Sequence, residues 1–188
     1  MTVRVVALEG LPGAGKTTLL GRLARLLPDV RTIPEIVVEP DGAFGPPSEE
    51  FFVHNDMRKC RLAELAGRAL LDRAWSSTAA YVLAAERWSG RAAAPAEVVD
   101  RLYGGPPPVP TAFVMLDPVR VVTRAYATDV LFWNARFRRE LRRAYHDVFA
   151  FAGVPVLSID DRPDGRLLAF VTEQLAVTPA PANTGGTV

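Results

Sequence analysis

The sequence has few of the residues on which several classes of protein depend. A single cysteine, Cys60, excludes an internal disulfide framework, and we expect a protein of the reducing cytoplasm. The two histidines, His54 and His146, lack the spacing of zinc ligands. No apolar run approaches the roughly 18 residues of a membrane span. The first residues lead into a predicted strand rather than into the apolar segment of a signal peptide, so we expect no membrane association.

Excess charge is also lacking. The formal net charge of +1 gives no electrostatic reason to expect nucleic acid as a partner. A chain of 188 residues suits one domain with a substantial core. We therefore predict a single domain over residues 1–177. The last stretch, 178–188, is rich in Pro, Gly, Thr and Asn, which predicts a disordered tail.

Lysine is scarce, and one of the two lysines lies in a motif. Gly10 to Thr17 fits G-x-x-x-x-G-K-S/T, the pattern of a phosphate-binding P-loop, with Lys16 as its lysine. The apolar run Val3–Leu8 before it predicts a buried strand, and leucines at helical spacing after Thr17 predict a helix. This strand, turn and helix favour a P-loop over a chance glycine-rich turn.

The chemistry of a P-loop explains this choice of residues. Glycines permit left-handed backbone angles and a close approach of the main chain to a ligand. The amides and the helix N-terminus then attract phosphate, the lysine reaches the outer phosphates, and the Thr17 hydroxyl holds Mg²⁺. We therefore expect ATP and Mg²⁺ as cofactors. The predicted nucleotide-binding residues of the loop are Gly10, Pro12, Gly13, Ala14, Gly15, Lys16, Thr17 and Thr18.

Predicted strands alternate with predicted helices along the rest of the chain. Strands are predicted at 30–34, 69–71, 111–116 and 154–159, and helices at 48–66, 76–89, 95–103, 132–152 and 165–176. This pattern predicts an α/β fold of the P-loop NTPase type, a three-layer α/β/α sandwich with a central parallel sheet of about five strands. Ligands of such sheets bind at the carboxyl ends of the strands, where Gly10, Glu35, Asp72, Asp117 and Asp160 all fall.

Two further segments resemble one group of P-loop proteins. The run from Asp72-Arg73 through Ser76 to Tyr81 resembles the Asp-Arg-x-x-Ser segment of thymidylate kinases and the Glu-Arg-Ser segment of deoxynucleoside kinases. Phe52–Asp56 with Lys59 resembles the helix that lines their acceptor pocket. The likeness covers about residues 3–176. It implies a kinase that moves the γ-phosphate of ATP to a small acceptor, a nucleoside or a nucleoside monophosphate, in a protein that can form a homodimer. The implied acceptor-binding residues are Glu39, Phe52, Asn55, Asp56, Arg73, Ser77 and Tyr81.

Two carboxylates compete for the role of the catalytic base. Glu35 follows the second strand, at a spacing from Lys16 similar to that of the catalytic Glu of deoxynucleoside kinases, and could accept a proton from a primary hydroxyl. Glu39 opens Glu-Pro-Asp-Gly, which resembles the E-P-G-G segment of thymidylate kinases. Val38 stands where that segment has an arginine. Both assignments remain open at this point.

The remaining catalytic candidates each have a structural alternative. Asp72 could hold Mg²⁺ or cap a helix, and Arg73 could bind acceptor oxygens or form a structural ion pair. Arg120 and Arg124 lie one helical turn apart and could close over the transferred phosphate as a lid, or form a solvated basic face. Asp160 lies where such kinases hold the adenine, or in an ordinary turn.

Other functions remain to be weighed against a nucleoside or nucleotide kinase. The same fold could phosphorylate a hydroxyl of a nucleoside-like or sugar-bearing natural product, because function resides in the site rather than in the fold. A nucleotide-dependent regulatory ATPase is a third possibility. The D-x-x-G and N-K-x-D motifs of a GTPase do not occur in the sequence.

Overall fold

Five strands alternate with six helices in the part of the chain that the structure, a computed structural model, describes: residues 2–38, 48–117, 130–159 and 165–177. The strands are β1 (Arg4–Gly10), β2 (Arg31–Ile33), β3 (Arg68–Asp72), β4 (Ala112–Leu116) and β5 (Val156–Ile159). The helices are α1 (Lys16–Leu26), α2 (Glu49–Ala66), α3 (Trp75–Trp88), α4 (Pro95–Tyr103), α5 (Ala135–Ala152) and α6 (Gly165–Leu175). Some predictions fall outside the described residues, namely those for Glu39, Arg120, Arg124, Asp160 and the tail 178–188.

The strands form one parallel sheet with the order β2-β3-β1-β4-β5. This order puts β1, and with it the predicted P-loop, at the centre. The short strand β2 lies at an edge and ends just before Pro34, as expected for a residue that cannot donate a ladder hydrogen bond. The predicted P-loop NTPase type of α/β fold is therefore confirmed.

The alternation of side chains along each strand builds the two sides of the sandwich. In β1, Val5 and Ala7 belong to a core cluster with α2, α3, α4 and α5, whereas Val6 and Leu8 belong to a second cluster with α1 and α6. All four side chains are fully buried, because helices cover both faces of the sheet. No helix within the described ranges is long and apolar enough to cross a bilayer.

Helix boundaries agree with the sequence where a capping residue marks them. Ser48 caps α2, since its hydroxyl accepts a hydrogen bond from the Phe51 amide at 3.1 Å. The prediction was less accurate for α5, which begins at Ala135 instead of near Phe132. Asn134 caps this helix by accepting from the Arg136 and Phe137 amides at 2.9 and 3.3 Å, and residues 130–133 form a separate 3-10 turn.

Candidate functional site

The predicted P-loop connects β1 to α1, and its three glycines have positive φ: 138° at Gly10, 79° at Gly13 and 89° at Gly15. A Cβ at Gly10 would overlap the carbonyl oxygen of Leu116 in β4. The close approach at this glycine is therefore to the neighbouring strand, rather than to a ligand as the sequence led us to expect. A Cβ at Gly15 would meet no atom within 4 Å, so backbone conformation alone favours glycine there.

The loop presents amides at the N-terminus of α1. The amide of Leu19 donates to the Gly15 carbonyl at 2.9 Å, so those of Lys16, Thr17 and Thr18 precede this bond within the first turn. Gly13, Gly15, Thr17 and Thr18 are exposed, and Pro12 and Ala14 are half-buried. An anion at this rim would meet amide donors and the partial positive charge of the helix end, so the loop fits a polyphosphate.

Lys16 lies inside this loop. Its side-chain nitrogen donates to the carbonyls of Gly10 at 3.1 Å and Leu11 at 3.0 Å, and the residue is buried. The pKa of Lys16 is lowered to about 7, chiefly by burial and also by the positive charge of Arg73, against the opposing effect of Glu35 and Asp72. A phosphate beside this nitrogen would favour the protonated form.

Thr17 and Asp72 meet beside the loop. The Thr17 hydroxyl donates to Asp72 Oδ2 at 2.6 Å. Asp72 is buried, and its Oδ1 has no hydrogen-bond partner within the described residues. A buried carboxylate oxygen without a donor, next to a threonine hydroxyl, fits a hard cation, so these two residues would hold Mg²⁺. The described residues contain no group of three or more His, Cys, Asp or Glu side chains that could hold a metal alone, and Mg²⁺ typically takes few protein ligands.

The side chain of the next residue, Arg73, contacts a different set of residues from that of Asp72. Its φ of 63° is left-handed, which is uncommon for a residue other than glycine. Whereas Asp72 contacts Thr17, Arg73 donates through Nε to Glu35 Oε1 at 2.7 Å and through Nη1 to the Gly10 carbonyl at 2.9 Å. The Arg73 side chain is 16% exposed and that of Glu35 is 49% exposed. The consecutive residues Asp72 and Arg73 thus join the P-loop to a solvent-accessible carboxylate.

Two side chains of α2 hold the main chain near Glu35. Asn55 donates through Nδ2 to the Glu35 carbonyl at 2.9 Å and accepts from the Val37 amide at 2.8 Å. Lys59 donates to the carbonyls of Glu35 at 3.3 Å, Asp72 at 2.6 Å and Arg73 at 2.7 Å. Burial lowers the pKa of Lys59. Asn55 and Lys59 thus hold the main chain at Glu35 and at Arg73 in fixed relative positions. Lys59 entered the predictions only as part of the segment that resembles the acceptor-pocket helix. It is one of only two lysines in the sequence, which was the available sign of a special role.

The other predicted acceptor residues lie at different depths. Asp56 is buried and accepts from Thr78 Oγ1 at 2.7 Å and from the Tyr103 hydroxyl at 2.8 Å, and burial raises its pKa. Tyr81 packs against Phe132 and Phe137, with ring centroids 5.7 and 5.8 Å away. Phe52 is 39% exposed on α2. A role in acceptor binding stays a prediction for these residues, and Asn55, Asp56 and Ser77 already bond within the protein.

Sequence reasoning missed Glu9, at the end of β1. This carboxylate is fully buried and accepts hydrogen bonds from the Ala74 amide at 2.8 Å and from the hydroxyls of Ser76 and Ser77. Burial raises the pKa of Glu9, whereas the two hydroxyls and the charge of Arg73 act in the opposite direction. An acidic residue within an otherwise apolar central strand was the available sign of a special environment.

Comparisons with known proteins place this geometry in a structural group. No family model matches the chain, and no curated protein matches its sequence. Among solved structures, it is similar to a thymidylate kinase from Candida albicans, with 15% identity over 92% of this chain and 89% of that one, at a TM-score of 0.57. A deoxyadenosine kinase from M. mycoides with bound dATP shares 12% identity over 92% and 99%, at a TM-score of 0.63.

A thymidylate kinase from Ehrlichia chaffeensis shares 16% identity over 94% of this chain and 98% of that one, at a TM-score of 0.54. The similarity thus extends over nearly the whole length of this chain and of each of these solved structures. At these identities it concerns the fold, which agrees with the resemblance first seen in the P-loop and the Asp-Arg segment. The chain has the P-loop kinase fold of thymidylate kinases and deoxynucleoside kinases.

Proposed function

We propose that the chain is a kinase that uses ATP with Mg²⁺ and phosphorylates a nucleoside or a nucleoside monophosphate. The observation that carries the proposal is the divergence of Asp72 and Arg73, which contact Thr17 of the P-loop on one side and Glu35 on the other. A kinase needs a triphosphate site and an acceptor site that share a boundary, and these two residues form such a boundary.

The residues divide the work of phosphoryl transfer between them. The loop amides and Lys16 bind the triphosphate, and Thr17 and Asp72 hold the metal. Mg²⁺, when bound, neutralises charge on the phosphate oxygens. Arg73 orients the acceptor with its planar guanidinium. The proposal assigns Arg120 and Arg124 to the lid and Asp160 to the adenine side.

The proposed base is Glu35, which favours a hydroxyl acceptor. The acceptor oxygen forms a bond to the γ-phosphorus while the bond from that phosphorus to the ADP oxygen breaks, and Glu35 accepts the hydroxyl proton. A phosphate acceptor is already ionised and needs no base, whereas a hydroxyl acceptor does. We therefore place nucleosides ahead of nucleoside monophosphates.

An acceptor panel tests the proposal. The purified protein is incubated with Mg²⁺, γ-labelled ATP and each of the four deoxynucleosides, their monophosphates and a set of sugar-bearing natural products. Label transfer to a deoxynucleoside or its monophosphate, with loss of at least about a thousandfold in Lys16→Ala, is expected. Transfer confined to another hydroxyl compound would contradict the assigned acceptor class. ATP hydrolysis that is equally fast without any acceptor would instead indicate a regulatory ATPase.

A further inference from the structure

We propose that Glu9 and Tyr145 are positioning residues that set the Arg73 guanidinium, and through it the Glu35 carboxylate, by a chain of hydrogen bonds through Ser77. The inference deepens the proposed function, because Arg73 and Glu35 are its acceptor-side residues. Glu9 directly precedes Gly10 in the chain, and neither Glu9 nor Tyr145 forms a hydrogen bond to Thr17 or Asp72 within the described residues.

The hydrogen bonds run in one direction from cation to anion. Arg73 Nη1 shares its two protons among the Gly10 carbonyl at 2.9 Å, the Tyr145 hydroxyl at 3.1 Å and Ser77 Oγ at 3.2 Å. The Ser77 hydroxyl donates its proton to Glu9 Oε2. The Tyr145 hydroxyl, 2.9 Å from Ser77 Oγ, must then be the donor in that pair, because the Ser77 proton is already used. The negative charge of Glu9 is thereby linked to Arg73 through two hydroxyl groups.

Glu9 also fixes the turn that carries Arg73. Helix α3 begins at Trp75 without a side-chain cap of its own, since its N-cap residue is Ala74. Glu9 in β1 accepts from the amide of Ala74, the N-cap residue itself, and so lies next to the positive end of the helix dipole. The same carboxylate therefore orients both the main chain after Arg73 and, through Ser77, its side chain.

Tyr145 supplies the contact from α5. It is buried, and its hydroxyl reaches Arg73 and Ser77. Without these bonds, the guanidinium would keep its contacts to Glu35 and the Gly10 carbonyl but lose an acceptor that fixes its plane. Buried polar groups held by several partners are rigid, and loss of one partner leaves the others unpaired.

The first test does not depend on activity. The Arg73 Nε–H, which donates to Glu35, is followed by ¹⁵N NMR in the full chain and assigned by its disappearance in Arg73→Lys. We expect its hydrogen exchange to be about fivefold faster or more in Tyr145→Phe, the factor that corresponds to one lost hydrogen bond. Tyr103→Phe is the matched control, because it removes a buried hydroxyl that donates to Asp56 rather than accepting from Arg73. Unchanged exchange in Tyr145→Phe, or an equal change in Tyr103→Phe, overturns the proposal.

The second test uses catalysis, with deoxyadenosine and thymidine monophosphate as the acceptors. Tyr145→Phe and Glu9→Gln should raise the acceptor KM about fivefold or more while the ATP KM stays within twofold. Thr111→Val removes a hydroxyl that bonds to the main chain of Val5, near the start of β1, and should change neither KM. A parallel rise in both KM values would indicate a structural role and contradict positioning. If the wild type phosphorylates neither these two acceptors nor any other nucleoside or nucleoside monophosphate of the panel, the proposed function fails, and the NMR result still decides the positioning role. If Glu9→Gln does not fold, the result for Tyr145→Phe alone decides whether this hydrogen-bond network positions Arg73.

Discussion

At the scale of single residues, charges of the candidate site are held largely away from water. Lys16, Lys59, Asp72 and Glu9 are buried, and each except Glu9 also lies within reach of a position proposed for nucleotide, metal or acceptor. Burial lowers the pKa values of Lys16 and Lys59 and raises that of Glu9. A bound anion beside a buried lysine favours its protonated form. The effect is measurable at Lys16, where burial lowers the pKa to about 7.

We expect ATP binding near pH 8 to be accompanied by uptake of up to about one proton, because phosphate charges raise the pKa of Lys16. Calorimetric titrations in buffers of different ionisation enthalpy measure the uptake. Lys16→Arg is the control, since its guanidinium stays charged throughout and should bind without this uptake. Equal uptake in both proteins would contradict the assignment.

The same shift predicts how stability depends on pH. The folded pKa of Lys16, about 7, lies below the unfolded value of 10.5, so the unfolded chain binds more protons between these values. The Lys16 contribution to stability must therefore rise with pH through this window. Urea unfolding of the wild type and Lys16→Met at pH 7 and pH 9.5 measures it, and the wild type should gain stability relative to the variant. A difference between the two proteins that is independent of pH would refute the lowered pKa.

Glu35 and Glu39 can be separated by substitution with the neutral isostere. Glu35→Gln should reduce kcat by about a hundredfold or more while ATP affinity changes little, because it removes the proton acceptor and leaves the P-loop intact. Steady-state kinetics with the acceptor found in the panel, together with ATP titration, measure both. If Glu39→Gln, and not Glu35→Gln, shows this loss of kcat with unchanged ATP affinity, Glu39 is the base.

The candidate residues that the sequence alone could indicate are those marked by a local pattern along the chain. Lys16, Thr17 and Asp72 follow from a motif and from the end of a strand. Glu9 and Tyr145 could not be found in this way, because they bond to Ser77 across separations of 68 residues each. Asn55 was attributed to the acceptor pocket, yet both ends of its amide bind the main chain near Glu35, a contact that no local pattern encodes.

At the scale of the elements, side-chain caps decide where the helices start. Ser48 before two glutamates was a strong start signal, and α2 begins as predicted. The start of α5 was placed near Phe132 because aromatic and apolar side chains continue its stripe backward. Asn134 interrupts the helix there, since its side chain accepts the amides that begin the first turn.

Asn134→Ala should therefore lower the free energy of unfolding by about 1 kcal/mol, and Asn134→Gly by a few tenths of that. Urea unfolding followed by circular dichroism measures the loss. Asn134→Asp keeps an acceptor at the cap and serves as the matched control, with stability close to that of the wild type. A loss in Asn134→Asp as large as that in Asn134→Ala would show that the cap is not the reason for this boundary.

At the scale of the whole molecule, Gly10 is where the P-loop meets the other half of the sheet. Gly10→Ala should destabilise the nucleotide-free protein by about 3 kcal/mol or more, from backbone strain and overlap with the Leu116 carbonyl together. Gly15→Ala has similar backbone strain but open space around its Cβ, so about 1–2 kcal/mol is expected. Chemical denaturation without nucleotide compares them, and equal losses would contradict a packing role for Gly10.

The overall architecture was within reach of the sequence because strands covered on both faces are apolar throughout and helices show a periodic stripe. The order of the strands within the sheet could not be predicted from the sequence, because it depends on pairings such as β1 with β3 and β4 that join distant segments. The P-loop and Asp-Arg resemblance pointed to the fold, but no strand order was predicted from it.

The short edge strand β2 leads into a segment whose main chain, at Glu35 and Val37, is hydrogen-bonded to the side chains of Asn55 and Lys59 in α2. Such bonds are indifferent to which side chains the segment carries. Under the proposed function, substitutions at positions 36–38 should therefore alter acceptor selectivity and leave the contacts of Lys16 and Thr17 unchanged. These three positions are therefore the first candidates for redesigning the acceptor selectivity that we propose.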